Sequence, residues 1–152
     1  MPSETVVELK TQRPVHEQPQ HSYTIPSSLY LDEKIYEQEK QNIFYCNWHY
    51  AGHASQLSKT GDYLTASVAD ESVFIVRCQD ETLRGFYNVC RHRAHQLLEG
   101  SGNTHNIVCP YHAWSYALTG ELRHARNSEK VPGFDKSEFC LQPVQVDTMC
   151  GF

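Results

Sequence analysis

No run of about 18 apolar residues occurs anywhere in the sequence, so no helix suited to spanning a bilayer is expected. The opening stretch, MPSETVVELKTQRPVHEQPQ, is polar and contains proline. It lacks the apolar core of a secretory signal, and a cytoplasmic chain is the expectation. Basic charge is in deficit. Thirteen Lys and Arg against 18 Asp and Glu leave a net charge of -5, which excludes a general nucleic-acid binder. Without an export signal the six cysteines are not expected to form disulfides, because a cytosolic chain keeps thiols reduced and uses them for metals or catalysis. What is present is ordinary for a folded domain: 152 residues, 39% of them apolar and 20% charged, enough for one core.

The chain divides by composition. Residues 1–22 read as a polar arm interrupted by Pro2, Pro14 and Pro19. Residues 23–47 read as an extended segment at Tyr23-Thr24-Ile25-Pro26 followed by one helix from about Asp32 to Phe44. Asp32 and Glu33 suit the helix N-terminus, and Ile35, Tyr36, Ile43 and Phe44 could share a face. From Trp48 onward the pattern turns to strands, at residues 63–68, 72–78, 83–89 and 139–146. Gln79-Asp80-Glu81-Thr82 reads as a hairpin loop, and Thr119-Gly120 as a second turn between short strands. Many short strands separated by turn signals predict a mostly β domain, an antiparallel sandwich or barrel.

Two segments carry chemistry, Cys90-Arg91-His92 and Cys109-Pro110-Tyr111-His112, sixteen residues apart. In an extended segment residues two apart point to the same side, so Cys90 and His92 can present their ligand atoms together. A turn that Pro110 helps fix does the same for Cys109 and His112, and Gly100 and Gly102 are expected to supply the reversal between the pairs. Two thiolates and two imidazoles suit either a two-iron cluster or tetrahedral zinc. Zinc fingers usually keep cysteines together and histidines together, whereas here each pair is mixed. Two ferric ions, two sulfides and two thiolates sum to zero charge when the imidazoles are neutral, so such a cluster is easier to reduce than one with four thiolates. The respective potentials are about −150 to +300 mV and about −400 mV.

These loops resemble those of the Rieske non-haem iron oxygenases. The similarity runs from about Tyr23 to Phe152 and includes the helix, Trp48, the lead-in Phe86-Tyr87-Asn88-Val89 and His124-Ala125-Arg126-Asn127. Within that family His95-Gln96-Leu97-Leu98 and the run 124–127 are most similar to the carnitine monooxygenase oxygenase component and related betaine demethylases. The resemblance implies a Rieske β-sandwich over residues 48–152 with a cluster-binding subdomain at about 86–124. It implies a [2Fe–2S] cluster held by Cys90, His92, Cys109 and His112. It further implies single electrons arriving from a flavin and iron–sulfur reductase or a ferredoxin. They would pass to a mononuclear Fe(II) in a catalytic domain of the same or a neighbouring subunit, in a homotrimer. That iron needs two histidines and a carboxylate. His16, His21, His49, His53 and His105 are dispersed without a matched carboxylate, so the catalytic domain is expected to be missing from this chain. A free-standing Rieske ferredoxin and a structural zinc module are the alternatives.

Departures from the family pattern matter locally. Ala94 stands where the family has glycine. Trp114 and Tyr111 stand where high-potential Rieske proteins carry a serine and a disulfide cysteine, which implies a low potential. Both aromatics are expected to shield the cluster, Tyr116 to serve as a strand core residue, and Cys46, Cys78, Cys140 and Cys150 to be small buried hydrophobes. Arg84 to Arg126 holds five arginines, no lysine and two acids, a local charge of +3 that could dock an acidic donor.

Overall fold

A computed structural model describes residues 18–22 and 24–152. Most of the arm, including Pro14 and His16, and Tyr23 lie outside the described residues. The chain forms two compact units, Met1–Cys46 and Asn47–Phe152.

In the first unit α1 (Ser28–Leu31) is a single turn that the sequence reading did not anticipate. Helix α2 (Glu33–Glu39) follows and continues as a π-helical turn, Lys40–Phe44. The Asp32 side chain caps α2 by accepting from the Lys34 N–H at 2.9 Å, as its place before Glu33 suggested. Tyr36 and Phe44 meet edge to face at 6.4 Å, so part of the expected apolar face is present. None of the described helices is long and apolar enough to cross a membrane.

The second unit is built from eight short strands: β1 (Asp62–Val68), β2 (Glu71–Arg77), β3 (Leu83–Tyr87), β4 (Ser101–Asn103), β5 (Ile107–Val108), β6 (Ser115–Tyr116), β7 (Leu122–His124) and β8 (Pro143–Val144). They form an antiparallel five-stranded sheet, β4-β1-β2-β3-β8, and a three-stranded one, β5-β6-β7. The mostly β, antiparallel architecture is the one expected. β2 is buried on both faces because its side chains alternate. Phe74 and Val76 enter the main core with Phe86, Ile107, Tyr116 and Leu122, while Ile75 joins Leu57 and Leu64 in a smaller cluster. The main core thus joins both sheets and contains Cys90 and Cys109 themselves.

Several boundaries differ from the sequence reading. The strand expected over 139–146 shrinks to Pro143–Val144, preceded by a 3-10 turn, Lys136–Phe139. Pro143 has no N–H to give a ladder, which confines this strand to the sheet edge. β3 ends at Tyr87, and Val89 makes only an isolated bridge to Gln96. Strands β4 and β5 were not anticipated, being three and two residues long. Gly102 is no reversal: it pairs with Tyr63 inside β4, while Gly100 alone turns the chain at φ +61. The 79–82 loop is a turn as expected, closed by the Cys78 N–H donating to the Thr82 carbonyl at 2.8 Å. Of the four cysteines expected to be buried hydrophobes, Cys78 is buried, Cys140 is partly exposed, and Cys46 and Cys150 are exposed.

The Thr119-Gly120 turn shows why that glycine is needed. Gly120 sits at φ +88, and a Cβ there would lie 2.5 Å from the Phe86 ring. Gly120→Ala should therefore cost about 2 kcal/mol in denaturant unfolding, from left-handed strain together with overpacking. An unchanged midpoint would contradict this packing.

Candidate metal centre

Both motif segments fold into the same turn. The Cys90 N–H donates to the His95 carbonyl at 2.8 Å, and the Ala94 N–H returns to the Cys90 carbonyl at 3.0 Å. In the second loop the Cys109 N–H donates to the Trp114 carbonyl at 2.8 Å, and the Ala113 N–H to the Cys109 carbonyl at 3.0 Å. Each turn closes only if its fifth residue is left-handed, and Ala94 and Ala113 sit at φ +54 and +58. The alanine at the family's glycine position therefore keeps the turn and carries the strain, about 1–2 kcal/mol for a residue with a Cβ.

The turns bring all four sequence-predicted residues together. Cys90 and Cys109 are both 2% exposed and lie close enough to interact through their side chains. The His92 and His112 rings meet edge to face with centroids 4.8 Å apart. Sulfur is thus paired with sulfur and imidazole with imidazole, the division that a cluster with two cysteines on one iron and two histidines on the other requires. Among the described residues no three His, Cys, Asp or Glu side chains gather as they would round a single metal ion. The Nδ1 atoms of His92 and His112 are both buried without a hydrogen-bond partner. A buried polar atom left unpaired costs about 1–3 kcal/mol, and two such atoms beside two buried thiols fit a bound group that takes all four.

Protonation follows from burial. Desolvation pushes the Cys90 thiol up from its ordinary value, and the Tyr116 hydroxyl opposes this. Desolvation, then His112 and Arg93, hold the His92 imidazole below its ordinary value and so favour the neutral ring that binds metal.

The aromatic residues divide the work. Trp114, 5% exposed, stacks on His92 at 4.7 Å with the planes 10° apart, and is itself backed edge to face by Phe134 and Phe139. Tyr111 lies over His112 at 3.7 Å but is exposed, so it covers one face of that ring only. Tyr116 is the residue that sequence reasoning undervalued. It is fully buried, as a strand core residue would be, yet its hydroxyl lies 3.2 Å from the Cys90 sulfur and accepts the Arg91 N–H at 3.1 Å. Having accepted that bond, the hydroxyl has its own hydrogen left for the sulfur. The missed signal was a tyrosine seven residues after Cys109, on the strand leaving the second loop. Arg91, Arg93 and Arg126 are exposed around the loops, whereas Arg84 and Arg123 pair with Asp80 and Glu121. Loss of one hydrogen bond to a thiolate ligand destabilises the more negative, reduced state. Tyr116→Phe should lower the midpoint potential of the bound cluster by about 60 mV, about 1.4 kcal/mol for one electron, in a redox titration. An unchanged potential would mean that the hydroxyl does not bond the sulfur.

Comparison with known proteins agrees with this geometry. Residues 39–135 match the Rieske [2Fe-2S] domain family. The chain is 46% identical over 135 residues to the carnitine monooxygenase oxygenase subunit of Escherichia coli (strain K12), covering 88% of this chain and 36% of that protein. It is 35% identical over 133 residues to the glycine betaine monooxygenase oxygenase subunit of Pseudomonas aeruginosa (strain UCBPP-PA14), covering 87% and 31%. The crystal structure of the apo form of the quaternary ammonium Rieske monooxygenase CntA superposes with a TM-score of 0.81 at 42% identity, covering 86% of this chain and 38% of that one. The chain thus spans about a third of the length of the curated relatives it matches. With the paired sulfurs, the paired imidazoles and this similarity in hand, the chain belongs to the Rieske [2Fe–2S] family and is related to the oxygenase subunits of quaternary-ammonium monooxygenases.

Proposed function

We propose that this chain is the electron-entry domain of a Rieske oxygenase, with Cys90, His92, Cys109 and His112 as ligands of its cluster. The observation that carries this reading is the pair of buried, unpartnered imidazole nitrogens beside two buried cysteines. Bound there, a [2Fe–2S] cluster would supply a one-electron store that changes charge by a single unit. The protein's own residues do the rest. Trp114 and Tyr111 hold the two rings in orientation, Tyr116 offers a hydrogen to Cys90, and the main core keeps water from both sulfurs.

The donor would be a flavin and iron–sulfur reductase or a ferredoxin. The acceptor would be a mononuclear Fe(II) in a catalytic domain of the same or a neighbouring subunit, in a homotrimer. The names of the relatives favour a quaternary ammonium substrate, hydroxylated beside the nitrogen, over an aromatic ring. Absence of a serine two residues after His112, where Trp114 stands, supports a low potential.

Metal analysis tests the assignment directly. The purified protein should be brown, with equal iron and acid-labile sulfide, and His112→Cys should keep some cluster while lowering its potential, because a thiolate adds negative charge. A colourless protein holding zinc would overturn the reading. Unaltered spectrum and potential in His112→Cys would remove His112 from the ligand set.

A further inference from the structure

The two cluster turns are alike, but their bases are closed differently. The second turn rests on an ordinary ladder: Val108 pairs with Ser115 and Ile107 with Tyr116. The first has no such strands. Below the Cys90–His95 bond lie one isolated bridge, Val89 to Gln96, and then Asn88. Asn88 is the buried polar residue of this core, 3% exposed. Its Oδ1 accepts the N–H groups of Leu97 and Leu98 at 3.2 and 2.9 Å. Its Nδ2 donates to the Leu98 carbonyl at 2.7 Å and to the Ser72 hydroxyl at 3.1 Å. Every hydrogen-bonding site of the amide is used, two accepted and two donated. Three of the four bonds run to the far end of the loop, and the fourth ties it to the start of β2, where the Asn88 N–H also donates to the Ser72 carbonyl at 2.8 Å.

We infer that Asn88 is a positioning residue for the cluster: its side-chain amide replaces the missing strand pair and fixes where Cys90 and His92 stand relative to Cys109 and His112. The inference rests on the ligand assignment above. A buried amide with all four bonds made is costly to disturb, since removing it takes the acceptor from the Leu97 and Leu98 N–H groups and leaves the Leu98 carbonyl only the Gln96 side-chain amide at 2.9 Å. The two loop ends would then be joined to each other by the Val89 bridge and the turn, and the turn already carries a left-handed alanine. The strain would reach the Cys90–His92 pair and leave the ladder-held pair in place.

The test compares variants of the cluster-loaded protein by iron release to a ferrous chelator after reduction, by the electron paramagnetic resonance of the reduced cluster, and by midpoint potential. Asn88→Ala should release iron about ten-fold faster or more, with shifted g-values. Asn88→Asp keeps the acceptors for Leu97 and Leu98 but not the donated bonds, so it should fall between Asn88→Ala and the unmodified protein, and it keeps the test open if Asn88→Ala does not fold. Leu57→Ala is the control: it removes volume from the smaller hydrophobic cluster and should lower the melting temperature without altering g-values or potential. Native g-values, potential and release rate in a folded Asn88 variant would overturn the inference while leaving the ligand assignment intact. Unmodified protein without iron and sulfide would overturn both.

Discussion

Two short turns, each closing a cysteine N–H onto the carbonyl five residues on, are the constraint from which the rest of the second unit follows. The turn tilts the cysteine sulfur into the core and sends the histidine that follows to the rim. Its geometry requires a left-handed residue at a fixed place, which here is alanine in both loops. Because the two turns are the same, their four side chains meet in pairs of like kind. A single metal ion asks for four ligands round one point; a two-iron unit asks for two and two.

Burial then sets the energetics. The sulfurs belong to the main hydrophobic core, alongside Phe74 and Val76 from the large sheet and Ile107 and Leu122 from the small one. The site is consequently part of what holds the two sheets together. Its polar atoms are handled selectively. Cys90 has the Tyr116 hydroxyl, Asn88 is fully bonded, and among the described residues the two imidazole Nδ1 atoms are the buried side-chain nitrogen and oxygen atoms left without partners. Unpartnered buried nitrogens that persist beside well-bonded neighbours mark where binding, and not folding, completes the structure.

What the sequence revealed follows its periodicities. Strands β1, β2 and β3 were legible because they run for five to seven residues, carry β-branched or aromatic side chains and lie between turn signals. β4 and β5 were not, because two or three residues carry no period, and Gly102 reads as a turn residue until its pairing with Tyr63 is seen. The four ligand candidates stood out through residue type and spacing alone. Tyr116 and Asn88 did not, since a tyrosine on a strand and an asparagine beside a loop have ordinary explanations. Their roles depend on partners seven or more residues away in sequence. Ala94 stands where the family has glycine, and its observed φ of +54 shows the alanine in the glycine-like conformation, which residue type alone does not reveal.

Histidine coordination is the claim that separates this chain from an all-cysteine ferredoxin and from a zinc module alike. Electron–nuclear double resonance on the reduced protein, with 15N confined to histidine, measures it most directly. The account predicts two strongly coupled histidine nitrogens on the reducible iron, both lost as ligands only when His92 and His112 are replaced. A reduced cluster with no strongly coupled histidine nitrogen would contradict it.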